Sequence, residues 1–115
     1  MAVETAEIAH PSRDEIELGA VLHALSDPVR LSMVAALAAS GEEPSCGSFD
    51  VPVSKSTCTH HFRVLREAGV IRQRQHGTAR LNTLRTEDLE ARFPGLLASI
   101  LNASGRLDPV EAHSG

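Results

Sequence analysis

The sequence predicts a mainly α domain carrying a single β-hairpin, and three observations predict it. Apolar residues recur at helical spacing, as at Ile16, Ala20, Val21 and Ala24 and again at Cys58, Phe62 and Leu65. Capping residues mark the helix boundaries, Asp27-Pro28 and Ser54 at starts, Gly41 and Gly69 at stops. One stretch only, Val70 to Leu84, changes to an imperfect alternation around His76-Gly77, a pair suited to a tight turn.

Residues 1–12 are polar, end in His10-Pro11-Ser12, and are expected to form a flexible N-terminal arm. The first helix runs from about Arg13 to Leu25, with Asp14, Glu15 and Glu17 favouring its start through the helix dipole. Leu18, Leu22 and Leu25 broaden its apolar stripe beyond what one face needs, which implies burial on two sides. The second helix starts at Pro28, capped by Asp27, and stops at Gly41. Glu42 to Pro52 holds Pro44, Gly47 and Pro52 and reads as a loop or a short irregular helix. Ser54 caps the third main helix and Gly69 ends it. After the hairpin, a last helical segment runs from about Thr86 to Ala103, capped by Thr86 and broken or kinked at Pro94-Gly95. The order is helix-helix-helix-helix-strand-strand-helix, with residues 13–103 forming the domain and 104–115 a flexible C-terminal tail.

At 115 residues the chain has room for one modest core, and that core must be aliphatic, because Trp and Tyr are absent and Phe occurs three times. Such a chain often completes its core in a dimer. No run is apolar enough to span a membrane, and the first residues do not resemble a secretory signal. Cys46 and Cys58 are too few for a disulfide scaffold, so a reduced, cytoplasmic and prokaryotic setting is expected.

The net charge of −4 argues against nucleic acid until its distribution is considered. Ser54 to Arg80 carries Lys55, Arg63, Arg66, Arg72, Arg74 and Arg80 against one acid, Glu67, a net of +5, so the remaining chain carries −9. Phosphate binding needs a local positive surface rather than a positive average. Around the third helix, Cys58, His61, Phe62, Leu65 and Gly69 fall on one side and Ser56, Thr59, His60 and Arg63 on the other. Short hydroxyls allow close approach to phosphates or base edges, Arg63 can reach guanine or phosphate, and His60 can donate or accept. Ser54 and Lys55 sit at the helix N-terminus, where the dipole favours phosphate. The hairpin brings Arg72, Arg74 and Arg80 toward a tip with Gln75, His76 and Thr78, a wing able to lie along a backbone or in a minor groove. This is the arrangement of a winged helix-turn-helix domain that binds double-stranded DNA.

The segments SDPVRLSMVAAL (Ser26 to Leu37), SKSTCTHHFRVLREAGVI (Ser54 to Ile71) and RQHGTARLNTL (Arg74 to Leu84) resemble the ArsR/SmtB family of bacterial winged-helix repressors. The resemblance covers roughly residues 14–103. It implies homodimers, paired through the first and last helices, that read palindromic operators and repress until an effector releases them. It places Ser56, Thr57, Thr59, His60 and Arg63 in the major groove, Arg74, His76 and Arg80 in the wing, and His61 within the fold.

The family's metal sites are not matched. The interface-helix site needs histidine with acids along the last helix, and TEDLEARFPGLLASILNASG has no histidine before His113. The thiolate site needs two or three close cysteines, and here Cys46 and Cys58 are 12 residues apart without a Cys-x-Cys partner. Cys58 reads as a small buried hydrophobe; the alternative is a disulfide or soft-metal sensor with Cys46, which requires Cα atoms within about 7 Å. His10, His23 and His113 form no recognisable metal motif, so no resident metal or cofactor is expected. No Gly-rich phosphate loop, nucleophile motif or paired carboxylates point to an enzyme. The remaining alternative is a winged helix that binds protein rather than specific DNA.

Overall fold

The structure is a computed structural model that describes residues 5–40, 54–77 and 79–106. The elements are β1 (Thr5–Glu7), a short 3-10 turn (Arg13–Glu15), α1 (Leu18–Leu25), α2 (Pro28–Ser40), α3 (Lys55–Ala68), β2 (Ile71–His76), β3 (Ala79–Leu84), α4 (Thr86–Arg92) and α5 (Leu96–Arg106). The segment between α2 and α3, with Cys46, lies outside the described residues, as does 107–115.

Local chemistry sets most boundaries where the sequence places them. Asp27 Oδ1 accepts from the Val29 and Arg30 amides at 2.8 and 3.1 Å, which starts α2. The axes of α1 and α2 are bent by 100° across that joint. Ser54 Oγ accepts from the Thr57 amide at 3.2 Å and starts α3. Gly69, at φ 87°, ends it, its N–H donating to Arg66 O while Val70 N–H donates to Leu65 O.

The core is aliphatic around one aromatic ring. Val21, Ala24 and Leu25 of α1, Met33, Val34 and Leu37 of α2, and Cys58, Phe62 and Leu65 of α3 are each at most 5% exposed. Val70 and Ile71 close the core at the base of the hairpin, with Leu89 of α4 and Leu97 of α5 beneath. No single described helix is long and apolar enough to cross a membrane.

Four expectations are corrected. The first helix does not run unbroken from Arg13; Ile16 is extended (ψ 123°) and only 1% exposed. It packs toward Gly69, and Arg92 Nε and Nη2 hold its carbonyl at 3.2 and 2.6 Å, so tertiary contacts break the helix there. Residues 5–12 are not a loose arm. β1 pairs antiparallel with β2, giving a three-stranded sheet of order β1-β2-β3, and Ile8 N–H donates to Gln73 O. Thr86 is not the cap of α4. Arg85 holds that position with no side-chain cap, its amide bonded to Val70 O and its guanidinium to Asp88 and Pro11 O. The last helical segment breaks at Pro94-Gly95 as the sequence predicts, Gly95 taking φ 82° between α4 and α5, but it does not end at Ala103, because α5 continues through residues 104–106.

Asp88 ties three of these pieces together. Its carboxylate accepts from Arg13 Nε at 2.7 Å and Arg85 Nε at 2.9 Å, with Arg72 Nη2 at 3.8 Å. The hydrogen bond from Arg13 holds its pKa below the usual aspartate value, helped by Arg85 and opposed by burial. Asp27 is lowered too, first by the Arg30 amide. A carboxylate lowered in the folded state contributes stability above its unfolded value of about 4, and that contribution is lost as pH falls through the folded value. Stability is therefore expected to decline below about pH 4. In Asp88→Asn the decline should be shallower, measured by urea unfolding at a series of pH values.

Candidate nucleic-acid interface

Helix α3 has one buried and one open side, and the division follows the helical period. Cys58, His61, Phe62 and Leu65 are at most 8% exposed, while Ser56, Thr57, Thr59, His60 and Arg63 are all exposed. Ser54 Oγ is held within the first turn by the Thr57 amide and lies 3.0 Å from Thr57 Oγ1 and 3.2 Å from Ser56 Oγ. Lys55 is the first residue of α3. The open side thus presents three hydroxyl side chains, an imidazole and a guanidinium, with the positive end of the helix dipole at its start.

The wing cations are divided by strand register. Ile71 pairs with Leu84, Gln73 with Asn82 and Gln75 with Arg80, while Arg72 pairs with Thr83, Arg74 with Leu81 and His76 with Ala79. Successive residues of a strand face opposite sides. Arg80 therefore lies on the face that carries buried Ile71 and Gln73, and Arg74 on the other. Arg80 is exposed near the tip, where its Nε donates to Gln75 Oε1 at 3.3 Å. Gly77, at φ 62°, reverses the chain. Arg72 is not near the tip; it is the second residue of β2, half exposed and beside Asp88.

Two polar groups not singled out from the sequence hold these pieces. Arg30 of α2 is 8% exposed; its Nε donates to Ala24 O at 2.7 Å and its Nη1 to His61 Nδ1 at 3.2 Å. It thereby joins the end of α1, α2 and the buried side of α3. The sequence carried a signal, since Arg30 takes the first place of the stripe Arg30, Met33, Val34, Leu37. His61 bonds within the fold, as the family resemblance implies. The second group is a chain from α3 through both wing strands: Arg66 Nη1 donates to Gln73 Oε1 at 2.9 Å, and Gln73 Nε2 donates to Asn82 Oδ1 at 2.8 Å. Its signal is a pair of polar residues in register with Ile71 and Leu84 on the inward face.

Cys58 is 3% exposed among the core side chains, which suits a packing role. The disulfide or metal pairing with Cys46 falls outside the described residues. No group of three or more His, Cys, Asp or Glu side chains able to hold a metal occurs among the described residues.

A capped helix with an open hydroxyl and cationic side, seated on a preceding helix and followed by a two-stranded wing, defines a winged helix-turn-helix protein. The helix-turn-helix domain family matches residues 25–74. A relative from Bacillus subtilis (strain 168), the uncharacterized HTH-type transcriptional regulator YceK, is 34% identical over 82 residues, 70% of this chain and 82% of that protein. The chain belongs to the HTH-type transcriptional regulators.

Proposed function

We propose that the chain is a homodimeric repressor of the ArsR/SmtB type, acting in the cytoplasm, that binds a palindromic operator and is released by an effector. The observation that carries the DNA-reading part is the open side of α3, where Ser56, Thr57, Thr59, His60 and Arg63 are exposed together opposite a fully buried side. In this reading those residues meet the major groove, and Ser54 and Lys55 contact phosphate at the helix start. Arg74, His76 and Arg80 contact backbone or minor groove from the wing, with Arg72 supporting its base.

Base contacts and phosphate contacts separate by substitution. Ser56→Ala or His60→Ala should relax sequence preference by about 1–3 kcal/mol at the affected base pair. Arg74→Ala or Arg80→Ala should weaken binding on every sequence and flatten its salt dependence by about one contact. Fluorescence anisotropy with operator and shuffled duplexes measures both. Equal losses on both duplexes for all four variants would instead indicate binding without base reading.

Dimerisation through α1 is supported by Leu18 and Leu22, one turn apart and 44% and 45% exposed, the two large apolar side chains left open among the described residues. Leu18→Glu with Leu22→Glu should give a monomer in sedimentation equilibrium and weaken operator binding about tenfold or more. A native chain that sediments as a monomer would remove the dimer from this reading.

A further inference from the structure

The geometry points to Arg66, Gln73 and Asn82 as positioning residues that fix the angle between α3 and the wing, so that both engage DNA at once. This rests on the DNA-binding reading above.

The three side chains form a directed chain. A guanidinium only donates, so Arg66 obliges Gln73 to present Oε1 and leaves Nε2 to donate to Asn82 Oδ1. Gln73 and Asn82 are 2% and 1% exposed and are opposite partners in the β2–β3 ladder. They form the last buried rung of the wing, since the next inward-facing pair is half-buried Gln75 and exposed Arg80. Between the apolar base, Ile71 and Leu84, and the cationic tip, the hydrogen bond from Arg66 to this rung links the outer wing to α3. Arg66 stands on α3 at the border of its open side, one turn beyond Arg63 and two beyond Thr59.

Burying two carboxamides costs desolvation that an apolar pair would avoid. An apolar pair would also pack without direction, whereas donors and acceptors in sequence admit one arrangement. The chain therefore holds the tip at one orientation without itself contacting DNA.

The test is a double-mutant cycle between this rung and the wing tip, read as affinity of the full chain for a labelled duplex of mixed sequence. Gln73→Leu with Asn82→Leu removes no charge, so it leaves every phosphate-binding cation in place. In the native protein Arg80→Ala is expected to weaken binding about three- to tenfold. In the Leu/Leu background the same change should weaken it less than about twofold, because the tip no longer reaches the backbone. An Arg80→Ala loss of equal size in both backgrounds overturns the assignment, and a purely stabilising role for the rung predicts that result. Native protein that does not bind the duplex with salt-dependent affinity instead removes the DNA-binding reading. Circular dichroism confirms folding of each variant; if Leu/Leu does not fold, Asn82→Ala, which removes the carboxamide that accepts from Gln73 and leaves Gln73 in place, is read by the same cycle.

Discussion

Replacing Gly69 with alanine is expected to destabilise the domain by about 2–5 kcal/mol. Two costs add at this position. The residue sits at φ 87°, where an L side chain is strained by roughly 1–2 kcal/mol. A Cβ there would also lie 2.6 Å from Ile16 Cγ1 and 3.0 Å from its Cδ1, and Ile16 is itself 1% exposed with its carbonyl held by Arg92. Ile16 has little room to withdraw, so overpacking contributes about 1–3 kcal/mol more. The melting temperature should fall on the order of 10–20 °C. Gly95, with φ 82° and nothing within 4 Å of a built Cβ, carries the first cost alone. Gly95→Ala should therefore lose about half as much. Similar losses at both sites would show that strain dominates and that the Ile16 contact yields easily.

Removing Arg30 should cost a comparable amount by a different route. Arg30→Met keeps the volume but leaves Ala24 O and His61 Nδ1 without their donor in a buried setting, a loss of about 2–4 kcal/mol. Arg30→Lys keeps the charge and one donor but not the planar fork, and should lose about half of that. Urea unfolding of the three proteins orders them as native, Lys, Met. Because Arg30 joins the start of α2 to the buried side of α3, the Met variant should also bind DNA more weakly when fully folded. A Met variant as stable as the native chain would mean that desolvating the guanidinium offsets its hydrogen bonds.

The legible and illegible parts of this chain divide along the range of the forces involved. The start of α2 and both limits of α3 follow from Asp27, Pro28, Ser54 and Gly69, because a cap acts within one turn and is written beside the helix it bounds. The open side of α3 follows from the helical period alone. β1 was not legible, since Thr5 pairs with His76 far along the chain and its own pattern carries no strand signal. The break at Ile16 and the anchoring of Arg85 were hidden for the same reason, being fixed by Gly69, Arg92, Val70 and Pro11. At the candidate site, the wing cations were identifiable as residues but not as faces. Only the register, Gln75 opposite Arg80 and Arg74 opposite Leu81, separates Arg80 from Arg74.

In the proposed function, α3 and the wing together read a specific DNA sequence. The most direct measurement is fluorescence anisotropy of the native protein on two duplexes, the DNA upstream of its own gene and a shuffled duplex of equal composition, across a series of salt concentrations. Binding to both duplexes is expected to weaken steeply with salt, with the upstream duplex preferred by about a thousandfold or more. Equal affinity for the two duplexes at every salt concentration would contradict it.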